Sequence, residues 1–88
     1  MSNEEAELHI EAKTFARQLV SEIKLHNEAA VEEGLKNGYI YDRLREDIER
    51  ARRMYNERVG PKIRETSNYL YTEMVRILCE GNESLLGL

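Results

Sequence analysis

The sequence predicts an all-α domain of three main helices, one long and two shorter, packed as a bundle with coiled-coil-like seams in a homodimer. Apolar residues recur every three or four positions along most of the chain, which is the spacing of an amphipathic helix. The chain contains 41% apolar and 34% charged residues, a mixture typical of such helices. Turn signals at Asn37-Gly38, Gly60-Pro61 and Gly81-Asn82 divide it into three helical segments and a short tail.

The first segment predicts one helix over residues 3–36. Ser2 and Glu5 have the spacing of a capping box, in which each side chain pairs with a free amide of the first turn. No proline follows before Asn37-Gly38, where the helix should end, although Gly34 weakens its last turn by roughly 1 kcal/mol relative to alanine. Its apolar stripe contains Leu8, Ala12, Phe15, Leu19, Ile23 and Ala30.

Two shorter helices are predicted over residues 40–59 and 61–80, and residues 81–88 form a tail that folds back as a short turn. Gly60-Pro61 separates these helices, because the residue before proline avoids helical geometry while proline itself fits a first turn. The seam of the second helix contains Tyr41, Leu44, Ile48, Ala51 and Tyr55, with Val59 at its last turn, and that of the third contains Ile63, Ser67, Leu70, Met74 and Ile77. Residues 1–88 thus form a single domain.

The length of the first helix favours a dimer. A helix over residues 3–36 would span about 50 Å, whereas a compact domain of this size is roughly 30 Å across. Unless the helix bends near Asn27, part of its apolar stripe has to meet a second chain, and a two-fold homodimer is the commonest arrangement. Helices two and three then pack either as a hairpin or end to end. The core and interface candidates are Phe15, Leu19, Ile23, Tyr41, Leu44, Ile48, Tyr55, Ile63, Leu70, Met74 and Ile77.

Charge is distributed unevenly along the chain, whose formal net charge is −4. Residues 1–33 are acidic and residues 34–60 are basic, so the first two helices have complementary potentials. Arginines of the second helix alternate with carboxylates, and the i,i+4 spacing predicts the ion pairs Arg43–Asp47, Glu46–Arg50 and Glu49–Arg53. This alternation is typical of a solvated helix. Because arginine binds phosphate well, nucleic-acid binding through the second helix is kept as the second hypothesis, after association.

The sequence predicts no catalytic, cofactor or metal site, and hence no enzyme. His9 and His26 are seventeen residues apart on one helix and do not share a metal within one chain. The single cysteine, Cys79, has no evident base and is expected to be a small buried apolar group. The start lacks the features of a signal peptide, and no stretch is apolar enough to span a membrane, so we expect a cytoplasmic protein.

Two similarities to known families bear on function. The run from Phe15 to Asn27, together with Tyr41 to Arg52 and Met54-Tyr55, resembles a small helical module found at the C-terminal end of bacterial regulatory or zinc-ribbon proteins. This resemblance implies a bacterial, cytoplasmic association domain whose partner is a second copy or another helical protein, and it implies no site residues.

The second similarity concerns architecture alone. The all-helical chorismate mutases are also chains of about this size, with one long and two shorter helices in an intertwined dimer. Their site uses cationic side chains and a late glutamine or glutamate, and Arg17, Lys24 and Lys36 are the residues here that would supply the cations. Gln18 is the only glutamine, and the N-terminal pattern of that family is missing. A small-molecule enzyme at a dimer seam is therefore the third hypothesis.

Overall fold

The computed structural model describes residues 2–88, and every regular element in that range is helical, as the sequence predicts. The elements form an elongated body with principal extents of 43 × 21 × 19 Å. They are α1 (Asn3–His26), α2 (Glu28–Asn37), α3 (Ile40–Arg43), α4 (Arg45–Arg58), α5 (Pro61–Thr66), α6 (Tyr69–Glu73), a π-helical turn (Met74–Leu78) that continues α6, and a 3-10 turn (Glu83–Leu86).

The predicted first helix is broken at Asn27 into α1 and α2. The Asn27 side chain causes the break, because its Nδ2 donates to the carbonyl of Ile23 at 2.8 Å and takes the place of the backbone amide. That amide bonds Lys24 instead, and Asn27 Nδ2 also reaches Asp47 Oδ2 at 2.6 Å. The uninterrupted helix over residues 3–36 is therefore wrong. Since α1 spans only about 36 Å, the length argument for a dimer no longer holds.

The second and third predicted helices are also divided. Leu44 leaves helical geometry between α3 and α4. Ser67 adopts an extended conformation between α5 and α6, and its Oγ donates to the Ile63 carbonyl at 2.6 Å, satisfying a group that would otherwise continue the helix. Ser67 is thus a break, not the seam residue that the spacing predicted. In place of the three predicted helices, residues 2–88 form four longer helical segments and three short ones. The longer segments are α1, α2, α4 and α6 with its π-helical turn.

Several predicted ends are confirmed. The Ser2 hydroxyl accepts the backbone amide of Glu5 at 3.1 Å, although the Glu5 carboxylate binds Lys62 at 2.6 Å instead of closing the capping box. The Lys62 ammonium lowers the pKa of Glu5 through this hydrogen bond. The helix α2 ends at Asn37 and is capped by Gly38, whose φ of 79° favours glycine. Pro61 begins α5.

The core is formed where α1 packs against α4 on one side and against α5 and α6 on the other. α2, α3 and the 3-10 turn contact one another and close the far end of the bundle, where Ile40 and Leu86 are buried. The tail therefore folds back as predicted.

No helix in residues 2–88 combines the length and the apolar character needed to cross a membrane. The buried apolar residues are Ala12, Ala16, Leu19, Val20, Ile23, Val31, Ile40, Leu44, Ile48, Ala51, Tyr55, Val59, Ile63, Leu70, Met74, Leu78, Cys79 and Leu86.

Candidate functional site

The face shared by α1 and α4 carries two shallow grooves with apolar side chains. One groove, of about 290 Å³, brings the N-terminal half of α1 beside the end of α4, and the other, of about 210 Å³, brings the C-terminal half of α1 beside the start of α4. The two helices are therefore antiparallel. Leu8 in the first groove is 50% exposed, and Met54 in the second is 44% exposed. We call these two grooves and the ridge between them the α1–α4 face.

Charge on the α1–α4 face is divided between the two helices. Glu11 and Glu22 line it from α1, while Arg50 and Arg58 line it from α4. The Arg58 guanidinium lies 4.4 Å from the centroid of the Phe15 ring and forms no ion pair within the described part of the chain. Asp47 also borders this face, but it is engaged by Arg50 at 3.1 Å and by Asn27. The face thus pairs an acidic helix with a basic one.

The predicted core and interface candidates fall into two groups. Three of them, Phe15, Tyr41 and Ile77, are only partly buried. Among these, only Phe15 lies on the α1–α4 face, where its ring is stacked on that of Tyr55 with centroids 6.4 Å apart. The fully buried candidates are Leu19, Ile23, Leu44, Ile48, Tyr55, Ile63, Leu70 and Met74.

The sequence reasoning missed Met54 as a surface residue and Ile40 and Leu78 as core residues. Met54 lies one position before the seam residue Tyr55, so the spacing gave it no role. Ile40 is buried where the far end of the bundle closes, which local periodicity does not encode. Leu8, expected in the buried stripe of the first helix, is instead half exposed at the edge of α4.

Three arginines of α4 pair with carboxylates at i,i+3 spacing. Arg45 pairs with Asp42 at 2.9 Å and Arg52 with Glu49 at 3.2 Å, so the predicted i,i+4 pairs are wrong. Glu49 also accepts the Tyr41 hydroxyl at 2.9 Å, and this hydrogen bond lowers the pKa of Glu49 and raises that of Tyr41. Exposed pairs of this kind contribute little to stability.

The remaining candidates for chemistry lie apart from one another. His9 Nδ1 is 2.8 Å from the Tyr69 hydroxyl, whereas His26 lies at the opposite end of α1. Cys79 is fully buried, and burial raises the pKa of its thiol to about 11, which keeps it protonated. Within residues 2–88, no group of three or more His, Cys, Asp or Glu side chains is placed to hold a metal ion. The three cations of the enzyme hypothesis, Arg17, Lys24 and Lys36, are exposed and border neither groove of the α1–α4 face.

A separate groove of about 220 Å³ lies between α4 and the segment from α5 to α6. Tyr55 lines it, and the hydroxyl of this buried side chain has no hydrogen-bond partner in the described part of the chain. The Ser67 side chain is close enough to affect the pKa of this hydroxyl, but it forms no hydrogen bond with it and donates its own proton to the Ile63 carbonyl. Burial raises the pKa of Tyr55, and the nearby Ser67 hydroxyl opposes part of that rise.

The unpartnered hydroxyl of Tyr55 leads to a specific prediction about stability. Leaving such a group unpaired costs about 1–3 kcal/mol, so Tyr55→Phe should raise the free energy of unfolding by up to about 1 kcal/mol once packing changes are included. The control Tyr41→Phe should lower it by about 0.5–1.5 kcal/mol, because Tyr41 loses its hydrogen bond to Glu49. Urea denaturation followed by circular dichroism measures both, and a larger loss in Tyr55→Phe than in Tyr41→Phe would contradict an unpaired hydroxyl.

Comparison with known proteins gives no match to a family model, to a curated protein or to a solved structure.

Proposed function

We propose that this chain is a non-enzymatic association module that forms a two-fold homodimer through the α1–α4 face. The observation that carries the proposal is the combination, on one face, of exposed apolar side chains with an acidic helix beside a basic one. Leu8, Phe15 and Met54 supply the apolar contact. Burying their exposed surface would be favourable at about 25 cal/mol per Å².

Charge complementarity selects a second copy as the partner. A two-fold axis parallel to the helices places α1 of one chain opposite α4 of the other at the same height. Glu11 then faces Arg58 of the other chain, and Glu22 faces Arg50, so both halves of the contact are attractive. The result is an antiparallel four-helix arrangement, which is a common way to complete a small core.

The alternative of nucleic-acid binding through α4 has less support. Three arginines of the region are paired with neighbouring carboxylates, and Arg58 lies over the Phe15 ring. A phosphate-binding surface needs several uncompensated cations on one side. We propose a cytoplasmic location and a bacterial origin on the resemblance described above.

Solution mass tests the proposal directly. Light scattering over a concentration series should give a mass that rises to about twice the 10.3 kDa of one chain. The variant Leu8→Glu/Met54→Glu should remain monomeric, because it places charge in the apolar contact. The matched control Ile10→Glu/Leu25→Glu changes the same number of exposed apolar residues on another side of α1 and should still dimerise.

A charge exchange makes the test sharper. Glu11→Arg/Glu22→Arg and Arg50→Glu/Arg58→Glu should each be monomeric alone and form a heterodimer when mixed, since only the mixture restores attraction on both sides. Circular dichroism verifies that each variant is folded. A wild-type mass near 10.3 kDa at every concentration, or a control variant that dissociates as readily as Leu8→Glu/Met54→Glu, would refute the dimer.

A further inference from the structure

We propose that the groove between α4 and the α5–α6 segment binds a small organic carboxylate. The residues of α4 that line this groove differ from those that line the α1–α4 face, so the inference does not rest on the proposed dimer. The floor of the groove is formed by the buried side chains of Tyr55, Leu70 and Met74, and its rim is polar. A floor of this kind suits the apolar body of a ligand, while the rim suits a charged end.

The unpartnered Tyr55 hydroxyl is the first feature that points to a ligand. Its side chain is 5% exposed, and buried polar groups in folded proteins almost always have a partner. Burial raises the pKa of this phenol, so it stays protonated near neutral pH and acts as a donor. The hydroxyl oxygen has almost no accessible surface, so a ligand oxygen accepts its hydrogen bond only after a side chain of the groove moves aside.

The charge of the groove indicates that the acceptor is an anion. Two arginines, Arg52 and Arg64, line it, and none of its lining residues is acidic, although the whole chain has a formal charge of −4. Arg52 is paired with Glu49. Arg64 uses its Nε to bind the Val59 carbonyl at 3.0 Å and has no ion pair within the described residues, so its terminal nitrogens can form a two-fold contact with a carboxylate.

The remaining rim supplies further donors. The side-chain amides of Asn56 and Asn68 line the groove, and the Asn68 oxygen already accepts the Thr72 hydroxyl at 3.2 Å, which leaves its nitrogen available. One unpaired guanidinium matches the single charge of a carboxylate, and the apolar floor favours an organic body over a fully hydrated inorganic ion. With about 220 Å³, the groove exceeds the roughly 150 Å³ that accommodates benzene.

Benzoate is the probe that matches these features. Calorimetric titration of the full chain with sodium benzoate at constant ionic strength should show saturable binding of one molecule per chain, and benzamide, which has no charge, should bind at least about tenfold more weakly. Arg64→Gln should weaken benzoate binding by about tenfold or more. The control Arg53→Gln removes the same charge from α4 outside the groove and should leave binding unchanged.

Tyr55→Phe separates a role in binding from a role in folding. It should weaken benzoate about tenfold, because the phenol donates to a charged acceptor, while the variant unfolds at the same or a higher urea concentration. The absence of saturable benzoate binding to the wild type would overturn the proposal, as would equal losses in Arg53→Gln and Arg64→Gln. Tighter binding of inorganic phosphate than of benzoate would replace it with an inorganic-anion site.

Discussion

Replacing Ile48 by aspartate is expected to unfold the domain. Ile48 lies in the middle of α4 and is fully buried in the core formed by α1, α4 and α6. Loss of a buried isoleucine side chain costs about 2–5 kcal/mol, and an unpaired carboxyl at the same place adds several more. A domain of this size is stable by only about 4–13 kcal/mol, so the variant should lose most or all of its folded population at 25 °C.

The matched control for this variant is Ile10→Asp. Ile10 lies on α1 and is 64% exposed, so the same chemical change there removes little buried surface and strands no charge. We expect a change in the free energy of unfolding within about 1 kcal/mol. Circular dichroism and urea denaturation measure both variants. Retention of wild-type helicity and a cooperative transition by Ile48→Asp would show that α4 presents a different side to the core.

The sequence was sufficient to predict the apolar seam of α4, because the spacing of residues along one helix determines which of them share a side. Ile48, Tyr55 and Leu44 are spaced so that one side of a helix is apolar, and the structure buries all three. The first cap at Ser2 and the turn at Gly60-Pro61 follow from equally local rules, and the structure has both.

The spacing left a bend near Asn27 as an alternative and gave no break at Ser67, because such breaks depend on side chains that compete for backbone carbonyls. Asn27 and Ser67 are polar residues inside segments of helical spacing, and such residues bond the preceding turn or point to solvent according to their surroundings. At Asn27 the additional partner is Asp47, twenty positions away, which periodicity does not reveal. The succession Thr66-Ser67-Asn68 was a readable signal, since residues of this type favour helix ends and turns.

The two candidate sites also depend on contacts between residues that are distant in the sequence. Leu8 and Phe15 were expected on the apolar stripe of the first helix. Which part of that stripe stays exposed to solvent depends on how far α4 covers α1. The groove beside Tyr55 is formed by α4 and by the segment beyond the Ser67 break, so no pattern within one helix indicates it. Tertiary contacts therefore form both candidate sites, and local sequence does not indicate them.

Gly34→Ala should destabilise the domain, although helix propensity alone predicts the opposite. Alanine is favoured over glycine inside a helix by about 1 kcal/mol, and Gly34 lies within α2. In the folded chain, however, a Cβ at position 34 would collide with Cγ1 of Ile40 and lie 3.2 Å from its Cδ1. Ile40 is fully buried, so it has little room to move, and overpacking of this kind costs about 1–3 kcal/mol. We expect a net loss of up to about 2 kcal/mol in the free energy of unfolding.

Gly60→Ala is the matched control, because a Cβ at Gly60 would meet nothing within 4 Å and its φ of −64° suits alanine. This variant should be neutral or more stable by about 0.4–1 kcal/mol, since it restricts the unfolded chain. A double-mutant cycle with Ile40→Ala identifies the cause in Gly34→Ala. If the clash is responsible, the two changes should cost less together than the sum of their separate effects. Additive costs, or a stabilised Gly34→Ala variant, would mean that α2 and α3 do not pack through Gly34.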